Sequence, residues 1–231
     1  DVAAGLTLPN TADLVFDSTP EDDSAADVDD RDYSLSDSED VITRAPGIDK
    51  SVVDGSTSYA ETSGTDLGIG ELVTYEFVLT IPDGGISDVV LVDTLPDGME
   101  YVSSTVVSVG ADLNSFSGPV PTMGTNAGQE TTFNFGSFDN TVDPDTDPSD
   151  ADDQIVVRLT ARLTADPLVD TTDTMTNVGV LSFSNGVGGN FSVQDDASVE
   201  VVEPDVTIDK SVTPATADAG DDVSYTITIE N

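Results

Sequence analysis

The sequence contains no cysteine, no histidine and no tryptophan, and only two lysines among its 231 residues. Each absence closes a class of function. Without cysteine and histidine there is no disulfide, no thiol nucleophile, no zinc site and no Ser-His-Asp triad. Bases are scarce altogether: Arg31, Arg44, Lys50, Arg158, Arg162 and Lys210 stand against 46 acids, for a formal charge of −40. A nucleic-acid interface needs a basic face, and so does attachment to an anionic membrane surface; this chain can build neither. Glycoside hydrolysis by a carboxylate pair wants aromatic sugar platforms, and aromatic residues make up 6% of the chain. No apolar run reaches the length of about 18 residues that a membrane-spanning helix requires. The first residue is Asp1, with no signal-peptide pattern, so the chain reads as a mature protein or an internal piece.

What is present is aspartate: 36 Asp against 10 Glu. Dense surface carboxylates repel one another, and the repulsion is tolerable where salt screens it within about 3 Å, as at 1 M. The composition therefore points to a halophile. Disorder is the other reading of such charge, but apolar residues alternate cleanly over strand-length runs, which disorder does not require. Strands are expected at 47–53, 72–81, 87–93, 103–109, 131–136, 154–164, 175–184 and 197–202, with turns at 82–85 and 96–98 and a long connection over 110–129. Val, Thr, Ile and Phe fill the runs, and Gly, Pro, Asp, Asn and Ser separate them. The expected fold is an all-β, immunoglobulin-like antiparallel β-sandwich.

The chain also repeats itself. Ile48-Asp49-Lys50-Ser51-Val52 recurs as Ile208-Asp209-Lys210-Ser211-Val212, 160 residues later. Leu72-Val73-Thr74-Tyr75-Glu76-Phe77 matches Asp222-Val223-Ser224-Tyr225-Thr226-Ile227. At the other end, Leu8-Pro9-Asn10-Thr11-Ala12 and the run to Phe16 match Met175-Thr176-Asn177-Val178-Gly179 and the run to Phe183, at a spacing of 167. Two independent pairs give nearly one period, so the chain reads as a window onto a tandem array. Residues 1–45 would end one repeat, 46–204 make a complete one and 205–231 begin the next. Exchange of the end strands between identical subunits is the rival arrangement.

Both lysines occupy the same motif position. Arginine matches lysine as a charge and as a donor, but only lysine loses its proton when buried and becomes a nucleophile. Strand parity places Ile48, Lys50 and Val52 on one face, with the apolar companions pointing inward. Met175, Asn177, Gly179, Leu181 and Phe183 share an inward face, as do Val89, Leu91 and Asp93. A lysine, an asparagine and an acid on inward faces of three strands are each costly to bury alone. Together they fit an intramolecular isopeptide bond: neutral Lys50 attacks the Asn177 side-chain carbonyl, protonated Asp93 polarises it, and ammonia leaves. A buried Lys50–Asp93 ion pair with Asn177 hydrogen-bonded to it uses the same residues. Restriction of lysine to the motif favours the crosslink. Asn10 and Lys210 would be the half-sites of the flanking repeats. Glu76 is a second candidate acid, but its parity sets it opposite Tyr75 and Phe77.

The segments Ile48-Asp49-Lys50-Ser51, Gly70-Glu71-Leu72-Val73-Thr74-Tyr75, Val92-Asp93-Thr94-Leu95-Pro96-Asp97-Gly98-Met99 and Thr176-Asn177-Val178-Gly179 resemble the repeat domain of prokaryotic surface proteins catalogued as the eleventh domain of unknown function. That domain is related to the isopeptide-forming domains of pilin backbones and adhesin stalks. The resemblance covers about residues 46–204, with the flanks matching as fragments. It implies tandem immunoglobulin-like sandwiches on a cell surface and the crosslink triad Lys50, Asp93 and Asn177. Gly179 departs from it, since the family usually has alanine there, as at Ala12.

Two acid-rich stretches invite a cation. Asp143, Asp145 and Asp147 alternate, followed by Asp150, Asp152 and Asp153, and 21–32 is similarly dense. Alternating Asp in a loop can wrap Ca²⁺, but neither stretch has the glycine and closing glutamate of an EF-hand. Asn190-Phe191-Ser192 is the sole N-glycosylation sequon. The expected protein is thus a structural repeat of an extracellular stalk, adhesin or filament, with neighbouring repeats or identical subunits as partners. The competing expectation is a Ca²⁺-dependent carbohydrate- or ligand-binding sandwich. A single self-modification would not make it an enzyme.

Overall fold

The computed structural model describes residues 7–17, 32–55, 62–141, 150–165, 173–184 and 189–230. The strands are β1 (Thr7–Asp17), β2 (Asp32–Ile42), β3 (Gly47–Gly55), β4 (Asp66–Gly68), β5 (Leu72–Thr80), β6 (Gly84–Thr94), β7 (Met99–Val109), β8 (Leu113–Asn114), β9 (Thr125–Ala127), β10 (Glu130–Asn140), β11 (Gln154–Leu163), β12 (Thr174–Ser184), β13 (Asn190–Val202), β14 (Thr207–Thr213) and β15 (Ser224–Glu230). A single 3₁₀ turn at Ala151–Asp153 is the one helical element among the described residues.

Strands β3 to β13 build two sheets. One is four-stranded in the order β3-β5-β11-β7; the other runs β4-β13-β12-β6-β10-β8, with β9 added to β10. Their inner faces carry the core by alternation along the strands. Val73, Tyr75, Phe77 and Leu79 of β5 and Ile155, Val157, Leu159, Ala161 and Leu163 of β11 are completely buried. They meet Leu91, Phe133, Phe135, Leu181 and Phe183 of the other sheet, in one hydrophobic cluster. Alternation with one face buried pins the register, because a one-residue slip would turn every apolar side chain to solvent. The result is an all-β, immunoglobulin-like antiparallel sandwich.

Two features depart from the sequence expectation. The short β4 pairs with β13 in parallel, through Glu200↔Asp66, Val201↔Leu67 and Val202↔Gly68. The connection expected over 110–129 holds the short strands β8 and β9, both laid on β10. In β6, Ile86 and Val89 are both buried although three positions apart. A bulge explains this. Asp88 takes a φ of +53°, and the β6–β10 register shifts beside it. Beyond the bulge, Val89, Leu91 and Asp93 point inward in step.

The end strands form separate two-stranded sheets, β1-β2 and β14-β15. Their registers repeat those inside the sandwich. Lys50 faces Phe77 and Val52 faces Tyr75 across β3–β5, while Lys210 faces Ile227 and Val212 faces Tyr225 across β14–β15. Asn177 faces Ala197 and Gly179 faces Asp195 across β12–β13, while Asn10 faces Glu39 and Ala12 faces Asp37 across β1–β2. Leu14, Leu35, Ile208, Tyr225 and Ile229 on these hairpins are exposed.

Candidate functional site

Lys50, Asp93 and Asn177 meet between the two sheets. β3 is the edge of the four-stranded sheet and carries Lys50 across the sandwich; β6 and β12 are neighbours in the opposite sheet. Asp93 is paired with Gly179, so Asn177 lies diagonally beside it on the same face. Lys50 Nζ donates to Asp93 Oδ1 at 2.7 Å, and Asn177 Nδ2 donates to Asp93 Oδ2 at 3.3 Å. Asp93 and Asn177 are completely inaccessible and Lys50 is 5% exposed. Aromatic rings form the floor: the ammonium sits 4.7 Å from the centre of Phe77 and 5.1 Å from that of Tyr75.

Burial dominates the electrostatics. It pulls the Lys50 ammonium from 10.5 down to about 8, against the opposing fields of Asp93, Asp196 and Asp195. It pushes the Asp93 carboxyl up, against the charge of Lys50 and the hydrogen bonds from Lys50 and Asn177. Both shifts favour the neutral pair over the ionic one. At pH 7 an amine with a pKa of about 8 is neutral roughly a tenth of the time, about 300-fold more often than one at 10.5.

Asn177 Oδ1 is buried and has no hydrogen-bond partner. Leaving such an acceptor unpaired costs about 1–3 kcal/mol. The amide orientation seen here suits an ionised Asp93, which can only accept. A protonated Asp93 reverses the demand: with the amide turned over, its O–H donates to the Asn177 carbonyl oxygen. That arrangement satisfies the orphaned oxygen and polarises the carbonyl carbon toward the neighbouring amine.

Sequence parity missed one residue of this site. Asp195 on β13 accepts from the backbone N–H of Lys50, through Oδ2 at 2.7 Å. The donor lies on the open edge of β3, so Asp195 closes a strand edge and fixes Lys50 in place. Asp37, in the same register on β2, is the signal in the repeat that could have revealed it. Glu76, the other acid considered, points outward and pairs with Arg158 at 2.7 Å.

The remaining candidates lie elsewhere. Asn10 and Lys210 are exposed on their separate hairpins, and Lys210 Nζ stands 4.8 Å from the Tyr225 ring centre. Asp143, Asp145 and Asp147 fall outside the described residues. Asp150 caps the 3₁₀ turn by accepting from the backbone N–H of Asp152, and Asp152 is exposed. Among the described residues no group of three or more acids is placed to hold a metal ion. Asn190 opens β13 and is exposed. Among the described residues no helix is long and apolar enough to cross a membrane.

No family model matches the chain, and no curated protein sequence is similar to it. Several solved structures are similar in shape. BcpA, the major pilin subunit of Bacillus cereus, is 15% identical with a TM-score of 0.43, over 72% of this chain and 42% of that one. The 35 kDa C-terminal fragment of the major pilin GBS80 of Streptococcus agalactiae is 14% identical with a TM-score of 0.43, over 73% of this chain and 58% of that one. ACE19, the collagen binding subdomain of the Enterococcus faecalis surface protein ACE, is 12% identical with a TM-score of 0.38, over 66% of this chain and 95% of that one. The chain thus spans about half the length of the two pilin chains.

Proposed function

We propose that this sandwich is a structural repeat of an extracellular stalk, adhesin or filament, stiffened by an autocatalytic amide bond between Lys50 and Asn177. The observation that carries the reading is the buried Lys50–Asp93–Asn177 cluster with its unpartnered carbonyl oxygen. Asp93 takes the Lys50 ammonium proton through their 2.7 Å contact, which leaves a neutral amine and a neutral acid. The amine lone pair attacks Asn177 Cγ while the Asp93 O–H donates to Oδ1. Collapse of the tetrahedral intermediate breaks the Cγ–Nδ2 bond. Asp93 relays a proton from Nζ to Nδ2, and ammonia departs. The product is a neutral secondary amide, and Asp93 ends protonated beside it.

The gain is twofold. A buried ion pair, whose desolvation offsets most of its attraction, is replaced by an uncharged link. The link also ties the two sheets together covalently. Intact mass of the folded protein tests this directly, since each bond removes about 17 Da as ammonia. A folded protein at its full sequence mass would sink the proposal.

Charge and hairpin register support the broader setting. The −40 charge fits a salt-rich exterior. Matching hairpin registers at both ends fit neighbouring repeats, or identical subunits in a fibre, as partners. A second reading, Ca²⁺ at the loop around 143–153, is favoured by one observation. Asn140 Oδ1 is buried and unpartnered beside Asp153, whose carboxyl is pushed up by burial and by the nearby Asp150, Asp83 and Asp112.

A further inference from the structure

Gly179 has an ordinary extended backbone, so conformation does not require glycine there. Space does. A Cβ at this position would stand 2.6 Å from Phe77 Cε1, 3.1 Å from Phe77 Cδ1 and 3.4 Å from Ile48 Cδ1. The Phe77 ring is completely buried and lies beneath the Lys50 ammonium, so any shift of the ring disturbs packed neighbours. The equivalent positions in the end hairpins carry the reciprocal pair. Ile227, facing Lys210 as Phe77 faces Lys50, is smaller; Ala12, two residues after Asn10 as Gly179 follows Asn177, is larger.

This matters because the chain holds two lysine hairpins and two asparagine hairpins, and β1–β2 lies next to β3–β5 in sequence. Tandem repeats are prone to mispairing of equivalent elements. An amide formed in the wrong combination would be permanent. We propose that Phe77 and Gly179 form a size-matched key that selects which asparagine hairpin closes on β3–β5. The β12–β13 hairpin fits. The β1–β2 hairpin, with Ala12 at the decisive position, drives a methyl into the Phe77 ring and is refused. In the reverse error, Ile227 against Gly179 leaves a void. Steric rejection of a related competitor is how similar interfaces commonly gain specificity. The inference rests on the repeat and crosslink reading above, but the packing key can fail or stand separately.

The test is a mutant cycle in the full chain: Gly179→Ala, Phe77→Ile and the double variant, read by calorimetric midpoint, intact mass and peptide mapping of the Lys50 link. Gly179→Ala should lower the midpoint by roughly 4–8 °C, from overpacking in a domain of this size. It should also reduce the share of Lys50 joined to Asn177. The double variant should recover both, standing at or above Phe77→Ile alone. If Gly179→Ala does not fold, a folded double variant supports the key and an unfolded one refutes it. A double variant whose loss equals the sum of the singles overturns it, as does a Gly179→Ala midpoint within about 2 °C of the parent. Full-length masses throughout with coupled midpoints would overturn the crosslink and leave the key standing. Ammonia loss with additive midpoints would overturn the key alone.

Discussion

Asn177→Ala removes the acyl partner of the proposed bond and leaves the other two residues in place. Lys50 and Asn177 are 127 positions apart. By the loop-closure relation used for disulfides, tying a loop of that length costs the unfolded chain about 5 kcal/mol of entropy at 25 °C. For a domain of 150–250 residues, each kcal/mol moves the melting midpoint by about 2–4 °C, so the bond should contribute roughly 10–20 °C. The substitution also deletes the Nδ2 hydrogen bond to Asp93 and leaves a small void. Lys50→Met, which removes the other reacting partner at similar volume, controls for those local losses. Both variants should appear at their full sequence masses, and the parent about 17 Da below its own. Calorimetry in molar salt should show both melting well below the parent. A parent at full mass, or variants within about 3 °C of it, would refute the reasoning.

Crosslinking measured during refolding should speed up as pH rises toward about 8, where the Lys50 amine becomes neutral, and should slow where Asp93 loses its proton. A flat rate profile would contradict that assignment. In Asn177→Ala, where Lys50 still titrates, the folded state binds fewer protons than the unfolded between about pH 8 and 10.5, so stability should rise with pH across that window. Crosslinked parent protein should lack that rise in a denaturant titration. Asp93→Ala should abolish the 17 Da loss (about the mass of ammonia) while Glu76→Gln leaves it intact, because Glu76 makes only an outward-facing pair. Calcium added in high salt should give a heat of binding that Asp150→Asn/Asp153→Asn diminishes; a flat calorimetric trace would remove that reading.

Period-two alternation located the eight long strands of the sandwich and set the facing of Lys50, Asp93 and Asn177, because one buried face leaves little freedom of register. It also set Glu76 outward. The short strands β4, β8 and β9 escaped notice because two or three residues carry no period; they form by adding to edges that longer strands provide. The bulge at Asp88 was equally silent, though it lies upstream of Asp93 and did not disturb the parity that mattered. Asp195 was missed for a different reason. Its partner is a backbone N–H on the opposite sheet, and no pattern along one strand predicts a contact between two. The need for glycine at 179 likewise comes from a contact between sheets, with Phe77 beneath Lys50.

The position of the triad along the chain has a mechanical consequence. Lys50 stands near the start of the sandwich and Asn177 near its end. With the proposed amide in place, tension applied through residues 47 and 202 would enter at β3, cross that bond and leave along β12 and β13. The 126 residues between the linked positions would carry no load. Beyond the link, the 25 residues from 178 to 202 could pay out roughly 85 Å at about 3.4 Å each, instead of more than 500 Å for the whole sandwich. A fibre of such repeats would yield by short, bounded steps under shear and then behave as an almost inextensible tether.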